Sequence, residues 1–305
     1  MMKKLLSLIL ALPLLAPALR AQALPLLYNP TDARSLALGG TGIAWRDGAA
    51  SVDQNLSAAA LSARSFAAGL SYAHWAPSIG ADSRFSMGSW YRSGTVAFGL
   101  SAKGSFARPA TLYGAAGEPG EEFAPYDLAV ALGAAWKAAP GLAVSANARV
   151  VSSSLGEQAT GTSVCADLAA QYASGPFRAG LGLSNLGAAI RYGSSSYPLP
   201  LLARGGFTYN NPWVDATLEL DYLARAGLMA GIGVEARPLE KPGQAGASWL
   251  ALRAGYHYGP ADKGLPSFGS VGIGLEFSGL AIDFAYLFAH PALGGSLSAG
   301  LSYSF

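Results

Sequence analysis

From about residue 64 to its end, the chain alternates apolar with small or polar positions at period two, in segments of about ten residues. Successive side chains of a strand point to opposite faces, so each segment predicts a strand with one apolar face. The clearest run sets Tyr126, Leu128, Val130, Leu132, Ala134 and Trp136 against Asp127 and Lys137. Before it, Phe66, Ala68, Leu70 and Tyr72 form one face, then Phe85, Met87 and Tyr91, then Val96, Phe98 and Leu100 opposite Lys103. Further segments fall at 142–150, 164–172, 177–183, 201–209, 214–222, 228–236, 250–258, 271–277, 280–288 and 297–305. Repetition on this scale predicts an all-β chain: a transmembrane antiparallel β-barrel of about fourteen strands.

The ninth segment decides which face meets lipid. There Val214, Ala216, Leu218, Leu220 and Tyr222 alternate with Asp215, Thr217, Glu219 and Asp221. A charge at mid-bilayer costs up to about 2–4 kcal/mol, so the uncharged face must be outside. The other face is mostly Gly, Ala and Ser rather than Lys and Glu, which argues against a barrel bathed in water on its outside. Short turns such as Arg92-Ser93-Gly94, Ser174-Gly175-Pro176, Asn210-Asn211-Pro212 and Ser278-Gly279 alternate with longer stretches at 107–122, 187–198, 259–266 and 289–295. That is the alternation of periplasmic turns with external loops, although 238–246 is long and 224–226 short for their places. Aromatics near segment ends, among them Tyr72, Trp136, Trp213 and Tyr258, suit interfacial girdles.

Composition agrees. The chain is 51% hydrophobic and 12% charged, where soluble domains average about 25% charged. The most apolar stretch, 128–144, is broken by Lys137 and Pro140-Gly141, so no helix is apolar enough to span. A closed barrel is the other structure that satisfies its backbone internally. A net charge of +2 gives no reason to expect nucleic acid as a partner. At the start, Lys3-Lys4, the apolar Leu5 to Leu15 and Ala21-Gln22-Ala23 read as a signal peptide cleaved before Leu24. The expected organisation is a signal peptide over 1–23, a plug segment over 24–62 and a barrel over 63–305 in the bacterial outer membrane. Outer-membrane lipid is then one partner, and the terminal Phe305 resembles the signal read by the barrel-assembly machinery.

Residues 24–62 differ from the rest, with short helical or irregular pieces at Leu36–Gly40 and Asn55–Leu61. Asp32-Ala33-Arg34-Ser35-Leu36-Ala37-Leu38-Gly39-Gly40, then Ile43-Ala44, Asp47 and Asn55, resembles the opening of PorV/PorQ-type proteins. Ser184-Asn185-Leu186-Gly187 followed by Leu199-Pro200 resembles a second pattern of that family. One departure is Asn55-Leu56-Ser57, where the family usually has Asn-Pro-Ala. The resemblance implies a FadL-like barrel and a role in type IX secretion, with secretion components or exported cargo as partners. The opening is also similar to that of the broader FadL-like barrels, which carry hydrophobic molecules. That alternative places an apolar pocket beneath the external loops, with Phe106, Leu112, Tyr113, Phe123 and Tyr197 as lining candidates. A purely structural role is the third reading.

Enzyme motifs are missing. Gly40-Thr41-Gly42 starts like a dinucleotide loop but lacks the third glycine and a preceding strand. His74, His257 and His290 sit apart, and Cys165 is expected as an inert small residue on the inner face. No catalytic residue, cofactor or metal site is expected. The constellation that remains is a charge cluster in the lumen: Arg204, Asp215, Glu219, Asp221, Glu235 and Arg237 on three successive strands. Adjacent strands bring such residues within pairing distance. They are expected to tie wall to plug, or to form a polar path or docking patch.

Overall fold

A computed structural model describes residues 24–45, 48–75, 82–113, 117–156, 159–239, 250–289 and 294–305. Residues 1–23, expected as a signal peptide, lie outside them, as do Asp47 and His290. The strands are β1 (Phe66–Trp75), β2 (Asp82–Ser93), β3 (Val96–Phe106), β4 (Ala110–Tyr113), β5 (Pro119–Phe123) and β6 (Tyr126–Ala139). Next come β7 (Leu142–Ser154), β8 (Thr160–Ser174), β9 (Phe177–Gly187), β10 (Ile190–Tyr192), β11 (Ser195–Tyr197) and β12 (Leu202–Asn210). The series ends with β13 (Val214–Leu223), β14 (Gly227–Ala236), β15 (Leu250–Tyr258), β16 (Phe268–Phe277), β17 (Leu280–Phe288) and β18 (Ser296–Ser304). Short helices α1 (Ala33–Ala37), α2 (Ser51–Gln54) and α3 (Ser57–Ala60) precede them.

Fourteen strands close the barrel in chain order, β4–β5 and β10–β11 standing apart as two small hairpins. Neighbouring barrel strands are antiparallel, and the ring shuts where β1 meets β18, from Ala67 opposite Ser304 to His74 opposite Leu297. The Phe305 carbonyl completes the seam by accepting the backbone N–H groups of Ser65 at 2.7 Å and Phe66 at 3.1 Å. All fourteen alternating segments are strands of this barrel. The two hairpins were not read from the sequence; they fold within stretches expected to be long loops.

The faces fall as the alternation requires. On β13, Leu218 and Leu220 are each 48% exposed, whereas Asp215 is 0% and Glu219 2%. Leu132, Phe98, Leu181 and Ile232 extend the exposed apolar surface around the ring. A water-soluble chain would bury such residues, so hydrocarbon is the solvent of this face.

Turn chemistry fixes the short connections. Ser278 and Gly279 join β16 to β17 with φ of 50° and 82°, the two positive values of a two-residue hairpin turn. Strands β6, β7 and β8 run to 14, 13 and 15 residues while β12 to β18 have nine or ten, so one side of the barrel is taller. The end carrying the hairpins and longer loops is called upper below, and the end carrying the short turns lower.

One strand is irregular. Between Leu168 opposite Leu183 and Ala166 opposite Leu186, the register of β8 with β9 shifts. Ser184 and Asn185 therefore face the single residue Asp167, a β-bulge with Asn185 at φ 64°.

Candidate functional site

Inside the barrel lies the chain's own N-terminal segment, and glycine makes room for it. Inward-facing positions on strands from β1 round to β18 carry glycines whose missing side chains the segment occupies. A Cβ on Gly206 would stand 2.5 Å from the Ile43 side chain, and one on Gly272 2.5 Å from the Ala37 Cβ. Gly231 and Gly233 leave only 2.6 Å to the carbonyls of Gly39 and Leu38. Such close approach is what a glycine on a strand permits. The small inward residues therefore have a purpose that the alternation alone did not reveal.

The residues quoted in the family resemblance hold the segment's shape. Asp32 caps α1 by accepting the Ser35 N–H at 2.9 Å. Asn55 donates to the Ile43 carbonyl at 2.7 Å and accepts the Ser57 N–H at 3.1 Å. The turn in question at Asn55-Leu56-Ser57 therefore forms; Leu56 has φ −64°, the value a proline would have there.

Wall and segment are joined by buried charges. Arg204, Asp215, Glu219 and Asp221 point inward, as do Glu235 and Arg237, and they divide into two networks. In the first, Glu219 pairs with Arg204 and accepts the backbone N–H groups of Gly42 at 2.6 Å and Ile43 at 2.9 Å. Arg204 also reaches Asp221 at 3.5 Å and donates to Gln54 of α2 at 2.9 Å. Gly42, in the stretch that starts like a dinucleotide loop, thus joins Ile43 in holding a carboxylate of the wall.

In the second network Asp215 and Glu235 face each other across β13 and β14, an arrangement unfavourable for like charges on its own. Arg237 resolves it, contacting Asp215 at 2.8 Å and Glu235 at 2.7 Å. Arg253 contacts Glu235 at 2.7 Å and Asp283 at 2.6 Å. Arg34 arrives from α1, its Nε 3.0 Å from Glu235. Burial opposes the Arg34 charge, but Glu235, Asp283 and Asp215 more than offset this and hold its pKa above the ordinary guanidinium value.

Sequence reasoning missed Arg34, Arg253 and Asp283, and it missed a third network altogether. There Arg149 lies 3.0 Å from Asp53 of α2 and 2.9 Å from Asp167, with Lys103 at 4.0 Å from Asp53. Lys103, Arg149 and Asp167 all stand in the non-lipid phase of their strands, a signal present in the alternation.

At the upper end, where an apolar pocket beneath the loops was expected, the described residues form a packed apolar cluster. Leu24 and Leu27 pack against Val151, Cys165, Ile190, Tyr192 and Leu199, with Tyr197 at the edge. Of the expected lining residues, only Tyr197 belongs to this cluster. Phe106 turns outward and stacks on Phe85, because it continues the lipid phase of β3; Tyr113 is exposed, and the side chain of Leu112 lies outside the described ones. His257 faces inward, stacked on Phe268 at 4.9 Å with Nδ1 3.3 Å from the Gly39 carbonyl.

Below the segment, a cavity of about 750 Å³ runs between it and the wall. Arg34, Asp53, Arg204, Glu235 and Arg253 line its interior, and Arg64, Pro212 and Glu276 bring it to the lower rim. Among the described residues no cluster of His, Cys, Asp and Glu is arranged to hold a metal ion.

No protein-family model and no curated protein matches the sequence. Solved structures do match in shape. The toluene transporter TbuX of Ralstonia pickettii superposes with a TM-score of 0.65 at 15% identity, covering 91% of this chain and 98% of its own. This chain has the fold of FadL-like barrels. The toluene transporter TodX of Pseudomonas putida gives 0.65 at 13% identity, over 91% of this chain and 99% of that one. A FadL homologue of Pseudomonas aeruginosa gives 0.58 at 12%, over 90% and 95%. None of these matches singles out the PorV/PorQ family.

Proposed function

We propose that the protein is an outer-membrane conduit for small hydrophobic solutes, non-enzymatic, with residues 24–62 acting as its plug. The observation that carries this reading is the apolar cluster at the upper end, set inside a barrel wall and above a polar cavity. Apolar groups gathered at the upper end are the surroundings a hydrophobic solute favours, with Leu24 and Leu27 occupying them in this structure, and the charged interior below disfavours passage straight down the bore. The shared fold with toluene transporters supports the same class of cargo. The secretion reading rests on the short sequence resemblance alone, and no feature of the interior favours it.

Cells that lack the protein and cells that regain it should differ in uptake of radiolabelled toluene at micromolar concentration. Equal uptake would remove the conduit reading. Loss of exported surface proteins with unchanged uptake would instead point to secretion.

A further inference from the structure

The cavity below the segment has a surface of uneven charge. Among the described residues its lining carries eight Lys and Arg side chains against five Asp and Glu. Asp167, Asp215, Glu219 and Asp221 pair with three of those arginines without themselves reaching the cavity. The surface that meets a solute is therefore cationic.

One row of that surface has donors to spare. Lys103 on β3 stands opposite Ser86 on β2, and Ser86 opposite Ser71 on β1, so the three lie side by side, and all line the cavity. Neighbouring strands are about 4.8 Å apart, which sets an ammonium and two hydroxyls around a space the size of one tetrahedral ion. Lys103 is only 6% exposed, yet its ammonium makes no hydrogen bond among the described residues, and its nearest carboxylate is Asp53 at 4.0 Å. Asp53 is engaged elsewhere, by Arg149 at 3.0 Å and the Ser101 hydroxyl at 3.1 Å. A buried ammonium has three donors to satisfy, and leaving them unmet is costly. Arg149, which shares Asp53 with Lys103, also has its Nε without an acceptor among the described residues.

We infer that Lys103, Ser86 and Ser71 form a site for a small inorganic oxyanion of the phosphate or sulfate class, reached from the lower rim. Such an ion offers an acceptor oxygen to each of the three side chains, and charge-assisted bonds of this kind are about twice as strong as neutral ones. The excess of cations on the lining accommodates a dianion. The site goes beyond the conduit reading and does not depend on it, since it takes the opposite chemistry from the apolar cluster.

Calorimetric titration of sodium phosphate into the protein in detergent tests the site, with sodium chloride at equal ionic strength as the reference. Saturable binding of one phosphate per chain is expected, with sulfate competing. Lys103→Met should weaken it at least ten-fold, and Ser71→Ala/Ser86→Ala about three-fold or more, whereas Arg64→Gln at the lower rim should bind as the parent does. Heat-modifiable migration on gels identifies folded barrel, and the serine variant carries the test if Lys103→Met does not assemble. The site is overturned by an absence of saturable heat, by an equal response to chloride, or by parent affinity in whichever folded variant is tested. A loss in Arg64→Gln as large as that in Lys103→Met would also overturn it, in favour of diffuse charge.

Discussion

The side-chain amide of Asn185 donates to the Pro200 carbonyl at 2.9 Å, joining residues fifteen apart across the upper hairpin. The same side chain accepts from Arg149 at 3.1 Å, and its backbone N–H donates to Asp167 at 2.8 Å. Two short motifs that stand apart in the sequence are thus one bonded unit. It sits on the left-handed residue of the β9 bulge.

Replacing Asn185 by Ala removes its side-chain bonds to the Pro200 and Leu27 carbonyls and from Arg149, and places a Cβ residue without local polar support at φ 64°. A loss of about 1–3 kcal/mol is expected from the unpaired buried groups. Asn185→Gly loses the same bonds but keeps the backbone freedom, so its unfolding midpoint should lie above that of Asn185→Ala. Equal midpoints in a gel-based heat titration would show that the left-handed conformation contributes nothing.

Glu219 is the wall residue most directly bound to segment backbone. Its substitution by Gln leaves the size unchanged but strips the charge that Arg204 and two N–H groups share. Breaking a buried pair in this way costs about 3–5 kcal/mol. Limited proteolysis should then cut within residues 24–62 while strand content, read by circular dichroism, stays at the parent level. A segment as protected as in the parent would count against the latch.

A third expectation concerns the inward glycines. Gly272→Val and Gly206→Val drive side chains into Ala37 and Ile43, and the wall backbone cannot yield because both its neighbours bond it. Expulsion of the segment is the expected result, seen as raised single-channel conductance in planar bilayers. Gly269 has open space around its missing Cβ, so Gly269→Val should conduct as the parent does. If all three behave alike, the fit between wall and segment is not what closes the bore.

On the outer surface, Leu220→Arg puts a cation in the middle of the apolar face of β13 and should cost about 2–4 kcal/mol of folding in lipid. Refolding yield into vesicles gives the measurement. No loss would mean that this face does not meet hydrocarbon.

The barrel was legible because burial against lipid enforces strict alternation, as in Val214 to Tyr222. The hairpins β4–β5 and β10–β11 were not, since pairs of three to five residues carry too little periodicity to stand out from loop. Arg204 with Asp221 could be paired from sequence because they lie on adjacent strands. Arg34 with Glu235 could not: 201 residues separate them, and only the path of the segment through the bore brings them together. Phe106 was misassigned as pocket lining although Val96, Phe98 and Leu100 already fixed its phase. Leu24 and Leu27 gave no local signal of their destination, because nothing in a short apolar run says which end of the barrel it will fill.

The glycines facing Ala37, Leu38 and Ile43 make the inner wall a mould cast around one particular cord of chain. Neither can be exchanged alone: another barrel's cord would meet the wrong hollows, and this cord in another barrel would meet protruding side chains. A change in one calls for a matching change in the other, so residues 37–43 and the distant strands they touch act as a single surface.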